Sequence, residues 1–350
     1  MTLAATDLPL ITTDLPGLGG TIKAQPEDFQ VEEIPAYEPS GQGEHLYLWV
    51  QKRGIGADYF LRQIARRLGV PSEEIGTAGL KDRHAITRQW VSVPASAEPR
   101  LPELDGDGIT LLSHTRHGNK LKPGHLRGNR FTIRIRQVQN VDALPWLLNR
   151  LQKSGMPNFY GSQRFGNDGE TLQLGMQLLL GRSTGKVSGF MRRLGLSAVQ
   201  SALFNTHVAT RMRDGLLRTV LEGDAMKKWP HGGIFTAQDV ATEQTRLETQ
   251  EIIPAGPIFG KKMFPTTGLA EERELATLHE AGLTRGHFAD QGKLMAGTRR
   301  YMFIYPEDIQ SEVLPEGVQL RFTLPAGSYA TVLLHELTHS TQLEAEDADE

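Results

Sequence analysis

Two stretches of this chain hold residues with the types and spacing of reactive groups. The first is HELTH, residues 335–339. On a helix, two histidines four apart share a face and can hold one zinc ion, with the glutamate as general base for peptide hydrolysis. The second is GLKDRHAITRQW, residues 79–90, where Asp82 stands between Lys81 and Arg83 on a glycine-led loop entering a strand. A loop aspartate commonly serves as a turn residue or cap. It is also a nucleophile that needs no separate base, because a carboxylate of ordinary pKa about 3.9 is already charged at neutral pH. A third stretch, GRSTGK at 181–186, resembles a phosphate-binding loop. Its glycines are one residue too close, and Val187 replaces the metal-binding hydroxyl, so it reads as a helix–helix turn.

Three features weigh against zinc at HELTH. The preceding SYATVLLHEL is β-branched at Thr331 and Val332, which places the first histidine on or just after a strand. The pair shares a face only on a helix. A catalytic zinc takes a third protein ligand, yet only eleven residues follow, and the extended H-E-x-x-H-x-x-G-x-x-H pattern fails at Gln342. Leu334 and Leu337 also suit a terminal helix packed on a core.

Asp82 keeps different company. From Gly108 to Val141 the chain has no Asp or Glu but seven Lys or Arg. That segregation makes a candidate phosphate-contact surface, or a solvated strand face beside a loop. RGNRF (127–131) holds Asn129 and Phe131, NFYGSQRFG (158–166) interleaves aromatic and basic residues, and FTLPAGSYAT (322–331) adds Tyr329. Aromatic rings to stack a base, cations for phosphates and one carboxylate together suit a site that modifies RNA. A catalytically silent RNA-binding protein would keep the same rings and cations.

The elements that position these residues follow from periodicity. Phe29–Ile34 reads as a strand. EHLYLWVQKRG (44–54) alternates, with Leu46, Leu48 and Val50 on one face and His45, Tyr47 and Trp49 on the other. GADYFLRQIARRLG is an amphipathic helix with Phe60, Leu61, Ile64 and Leu68 as its stripe and Gly69 as its C-terminal cap. A strand is expected over Gln89–Val93. Another is GNRFTIRIRQV (128–138), with Phe131, Ile133 and Ile135 opposed to Arg130, Arg134 and Arg136. Residues 171–222 read as mainly helical, most clearly QSALFNTHVATRMRDGLLRTVL; 228–268 as loops with short strands; LAEERELATLHEAGL as a helix. Strand texture returns at RRYMFIYP and VQLRFTLPAGSYATVLL. Strand-rich ends therefore flank a helix-rich middle, roughly 156–303.

Bulk properties narrow the class. The 350 residues suffice for two domains or one with an insertion, and 39% hydrophobic with 23% charged is ordinary for a globular chain. There is no cysteine, so disulfides and thiolate chemistry are excluded. No apolar run reaches membrane-spanning length, and the N-terminus lacks a basic signal region. The net charge of −3 includes five acidic residues in the tail EAEDADE (344–350), expected to be disordered.

Taken together, PEDFQVEEIP, PSGQGEHLYLWVQKRG, GTAGLKDRHAITRQWVSV, GNRF, NFYGSQRFG and LPAGSYATVLL resemble, in order along about Thr21 to Leu337, the TruD family of tRNA pseudouridine synthases. The K-D-R-x-A-x-T-x-Q-W and N-[YF]-[YF]-G-x-Q-R-F-G elements carry most of that resemblance. It implies an α+β fold: a pseudouridine-synthase-like catalytic domain with mainly antiparallel sheet, split over 1–155 and 304–350, plus an inserted α/β TRUD domain over 156–303. It implies Asp82 as the nucleophile, with Phe29, Asn129, Phe131, Tyr329 and Lys23 as substrate contacts; other members can carry Phe at the position of Tyr329. Lys81, Arg83, Arg127, Arg130 and Arg164 are the expected RNA-contacting cations. The family commonly has arginine where His335 stands, which sets HELTH aside. The implied reaction turns uridine, usually position 13 of tRNA, into pseudouridine. It needs no metal or cofactor, because bonds are exchanged without redox or phosphoryl transfer. Asp82 could attack C1′ or remove a ribose proton. Lys81 and Arg83, as chain neighbours, point away from it, so Lys23 is an equal candidate for its cation. The expected partner is tRNA in the cytoplasm, with no membrane and no obligatory protein partner.

Overall fold

A computed structural model describes residues 8–79, 81–183 and 185–340. The segment 344–350 and Thr184 of GRSTGK lie outside those residues. The chain is α+β and divides into two compact units. One comprises Leu15–Lys153, Pro306–Ala330 and Leu337–Glu350; the other comprises Met1–Asp14, Ser154–Tyr305 and Thr331–Glu336. Among the described residues, no helix is long and apolar enough to cross a membrane.

The first unit opens with β1 (Phe29–Pro35), β2 (His45–Arg53), α1 (Ala57–Leu68), β3 (Gly76–Thr77), β4 (Ile86–Pro94), β5 (Ile109–His117), β6 (Leu126–Arg136) and α2 (Leu144–Ser154). Helix α1 follows its sequence pattern. Phe60, Ile64 and Leu68 are buried, and Gly69 ends the helix at φ +65°, its N–H bonded to the Ala65 carbonyl. Those side chains pack on Leu46, Leu48, Val50, Val91 and Val93 of the sheet. Tyr47 is buried too, so β2 is covered on both faces and not only on its aliphatic one.

The second unit contains β7 (Met156–Pro157), α3 (Glu170–Leu179), α4 (Gly189–Arg213), β8 (Ala225–Lys228), β9 (Ile234–Thr236), α5 (Val240–Glu248), β10 (Ile252–Ile258), α6 (Gly268–Glu280), α7 (Arg285–Ala289), β11 (Thr298–Tyr301) and β12 (Phe303–Ile304). Its sheet runs β11-β10-β8-β9. Two expectations are corrected here. The helix read through residue 221 ends at Arg213. There the buried Arg211 guanidinium reaches forward to the Thr219 carbonyl at 2.7 Å and the Asp224 carboxylate at 2.7 Å, fastening a turn. The stretch 228–268, read as loops with short strands, also holds α5, capped by Asp239 accepting from the Thr242 N–H at 3.1 Å, and the fully buried β10. Pro254 and Pro257 within β10 argue against a central strand from sequence, yet the strand pairs on both sides.

The chain returns to the first unit as β13 (Glu307–Leu314) and β14 (Gly317–Pro325); the last described element is α8 (Ala330–Thr338), of which Thr331–Glu336 belong to the second unit. The first unit's sheet has eight strands in the order β13-β14-β6-β1-β4-β2-β5, with β3 beside β4. Its pairs are antiparallel except β1 with β4. The strand texture expected over Thr331–Leu334 is α8 instead. Leu333, Leu334 and Leu337 are wholly buried, and that burial outweighs two β-branched residues in the first turn.

Candidate active site

Directly paired residues of a sheet point to the same face, so the register identifies which side chains share a surface. Lys52 of β2 pairs with Thr87 of β4, Thr87 with Val31 of β1, Val31 with Phe131 of β6, and Phe131 with Phe322 of β14. Two residues along lies a second row: Val50 pairs with Gln89, and Glu33 pairs with Asn129, which faces Leu324. This is the face that α1 covers at its aliphatic end. At the other end it carries Lys52, Thr87, Gln89, Glu33 and Asn129, a polar strip at core-facing positions. Thr87 Oγ1, Gln89 Oε1 and Asn129 Oδ1 are buried without a hydrogen-bond partner among the described residues. Native proteins leave few such atoms, and each calls for an explanation, a catalytic or ligand-binding role among them.

The loop carrying Asp82 is fastened to this strip. It leaves β3 at Ala78, whose carbonyl accepts from the Gly124 N–H, and enters β4 at Ala85, whose carbonyl accepts from the Gly54 N–H. The Lys81 ammonium is 2.8 Å from Glu33 Oε2, with the two side chains only 6% and 1% exposed. The other Glu33 oxygen accepts from the Trp90 N–H at 3.4 Å, just beyond the last β1–β4 pair. Lys52, 1% exposed, donates to the carbonyls of Ile55 at 2.8 Å, Lys81 at 3.2 Å and Asp82 at 2.6 Å. Burial lowers its pKa to about 8; the Asp82 carboxylate opposes that shift and the Lys81 ammonium adds to it. The half-buried Asp82 carboxylate makes no hydrogen bond or ion pair with the described residues.

The expected substrate contacts fall in two groups. Asn129 lies in the row that holds Glu33. Tyr329, half-buried, follows the turn after β14, where the Ala326 N–H bonds the Arg127 carbonyl at 3.0 Å. Register therefore brings this turn to the Asn129 end of β6. Phe29 and Phe131 are buried in this structure. Phe131 stacks on Phe322 with centroids 5.2 Å apart and meets the Phe29 ring edge-on at 6.2 Å. Lys23, at φ +57°, holds its ammonium 4.9 Å from the Phe29 ring centroid.

The expected RNA-contacting cations scatter. Arg83 is exposed beside Asp82. Lys81 is turned inward to Glu33, its side chain 6% exposed. Arg130 alternates away from Asn129 to the opposite sheet face and pairs with Glu32 at 2.6 Å. Arg127 is 60% exposed, 4.0 Å from Glu307. Arg164 belongs to the other unit, where its guanidinium bonds the hydroxyls of Ser201 and Ser197. Sequence reading missed Lys52 and Glu33. The signal was present: both continue the apolar alternation of their strands at positions where a charge has no solvent.

HELTH resolves differently. His335 and Glu336 lie on α8, but Glu336 is a buried structural acceptor. Its carboxylate takes the Ile11 N–H at 3.1 Å and lies 2.8 Å from the Thr12 hydroxyl. His339 follows the helix end at φ +56°, so the histidine pair does not share a helical face. No group of three metal-binding side chains forms among the described residues.

Comparison with known proteins gives the family. The family model for tRNA pseudouridine synthase D (TruD) matches residues 6–192 and 180–337. A tRNA pseudouridine synthase D of Anaeromyxobacter dehalogenans is 45% identical over 349 residues, covering 98% of this chain and all of its own length. The Thermus thermophilus protein of that name is 43% identical over 98% of this chain and 96% of its own. A crystal structure assigned to TruD from Methanosarcina mazei superposes with a TM-score of 0.73 at 22% identity, covering 95% of this chain and 96% of that one, and shares its fold. With full-length relatives far above chance identity and a family model spanning nearly every described residue, this chain belongs to the TruD family of tRNA pseudouridine synthases.

Proposed function

We propose that the protein isomerises uridine to pseudouridine in tRNA, at position 13 as the family resemblance implies, with Asp82 as nucleophile. One observation carries the assignment of Asp82. The K-D-R-x-A-x-T-x-Q-W segment holds a carboxylate, unpaired among the described residues, on a loop pinned at two points to a polar strip inside the sheet. The carboxylate attacks C1′ of the target ribose, forming an ester while uracil leaves through N1. After the base turns, C5 attacks C1′ and displaces Asp82. The C5 proton passes to solvent and N1 gains a proton, so atoms and charge balance without an oxidant or phosphoryl donor.

The target nucleoside leaves its stack to reach the loop. Tyr329 is the ring best placed to hold it, worth about 1–3 kcal/mol if a base stacks there. Asn129, with donor and acceptor on one amide, reads the uracil edge. Phe29 and Phe131 support this surface from the core and set the register that presents Asn129. Arg83 and Arg127, both exposed, contact phosphates; Arg130 and Arg164 contact RNA outside the immediate site. Residues 1–155 and 304–350 carry the chemistry, and the inserted 156–303 adds RNA-binding surface. Within this reading the substrate is cytoplasmic tRNA. The test is primer extension on carbodiimide-treated tRNA transcripts incubated with the protein. A stop reporting pseudouridine at position 13 is expected; stops only elsewhere would move the site, and no stop would overturn the reading.

A further inference from the structure

We propose that Lys52 is a positioning residue of the reaction: its buried ammonium clamps the backbone on both sides of the Asp82 peptide and sets a fixed positive charge beneath the carboxylate. The inference rests on the reading of Asp82 as nucleophile.

All three ammonium protons are spent on carbonyls, those of Ile55, Lys81 and Asp82. Among the described residues no carboxylate bonds Lys52 directly. A lysine whose only task was to fill space would be replaced there by methionine at lower desolvation cost. Two of the three carbonyls belong to consecutive residues, Lys81 and Asp82, so the bonds fix the local path of the loop. The Lys81 side chain runs to Glu33 instead. The loop is thus held by its backbone on β2 and by a side chain on β1, which leaves the Asp82 carboxylate as the untethered group between them.

The clamp has a built-in pH limit. The charged groups acting on Lys52 are the Asp82 carboxylate and the Lys81 ammonium, the latter already bonded to Glu33. Burial brings the Lys52 pKa down to about 8. Above that pH the neutral amine has two N–H groups for three carbonyls, and the charge beneath Asp82 is gone. Arginine at this position stays charged across the accessible range.

The experiment is single-turnover tritium release from tRNA carrying 5-³H-uridine, from pH 6 to 9.5, with wild type, Lys52→Arg and Lys52→Met in the full chain. Release by wild type at pH 7 establishes the reaction itself; its absence would sink the functional reading, not the role of Lys52 within it. Given release, wild type is expected to lose half its rate near pH 8, and a flat profile to pH 9.5 overturns the proposal. Lys52→Arg is expected to keep measurable activity with that alkaline loss removed; loss persisting near pH 8 overturns it. Lys52→Met is expected to lose about 100-fold in rate or more, with tRNA affinity within about threefold. A rate within about fivefold of wild type refutes the clamp. If Lys52→Met fails to fold cooperatively, the wild-type and Lys52→Arg profiles decide.

Discussion

Replacing Lys81 with methionine should destabilise the protein by about 3–5 kcal/mol, the cost of stranding a buried charge. The magnitude follows from the geometry of its pair with Glu33. At 2.8 Å and an effective dielectric of about 20, the attraction is about 6 kcal/mol. Desolvating two groups with 6% and 1% of their side chains exposed offsets most of it, so the intact pair contributes little net stability. Removing the lysine alone leaves the Glu33 carboxylate buried without its cation. Glu33→Gln with Lys81→Met removes both charges and keeps an acceptor for the Trp90 N–H. That double variant should recover at least about 2 kcal/mol relative to Lys81→Met. Urea unfolding of wild type, both single variants and the double variant gives the cycle directly. Activity separates from stability in the same set. The double variant no longer hooks the Asp82 loop to β1, and its rate should stay about 10-fold or more below wild type. Lys81→Met within about 1 kcal/mol of wild type, or a double variant no more stable than that single one, would refute the reasoning.

Three further outcomes follow from the same geometry. Asn129→Ala removes a buried oxygen that has no partner among the described residues, so its stability should change by less than about 1 kcal/mol while single-turnover rate or tRNA affinity falls about 10-fold or more; loss of stability with unchanged activity would return Asn129 to a structural role. Gly175→Ala should cost about 2–3 kcal/mol in urea unfolding, because a Cβ there would lie 2.0 Å from the Gly195 carbonyl oxygen where α3 crosses α4; a neutral effect would mean the helices separate freely. For Lys52 the signs of stability and activity oppose. Its pKa is about 8 folded and 10.5 unfolded, so the unfolded chain binds more protons between those values and stability rises with pH. Relative to Lys52→Met, wild type should gain up to about 3 kcal/mol across that window, and a pH-independent difference would contradict the burial of a charged amine.

The parts of the fold legible in sequence are those where local pattern and burial agree. Phe131, Ile133 and Ile135 alternate and are buried; Phe60, Ile64 and Leu68 recur at helical spacing and are buried. The strands β5 and β13 leave no comparable mark, because they are the two edges of the sheet and most of their residues are exposed. Helix α8 was obscured for the opposite reason: the leucines that bury it outweigh its local β propensity. At the site, the Asp82 segment stood out by residue type and resemblance. The grip of Lys52 and Glu33 depends on cross-strand register between segments far apart in sequence, which periodicity does not supply. What periodicity did contain was a charge on each strand at a core-facing position, and Lys52 follows Leu46, Leu48 and Val50 in that pattern. Phe29 shows the converse. Its motif suggests a substrate ring, while its packing is that of a core residue supporting the surface above.

The most direct test is tritium release from unmodified tRNA carrying 5-³H-uridine, with EDTA present, comparing wild type with Asp82→Asn and Asp82→Ala. Release by wild type alone, with both variants still binding tRNA, is the predicted result and establishes C5 exchange, independence from metal and the identity of the nucleophile together. Equal release by Asp82→Asn, or none from wild type, would contradict the account.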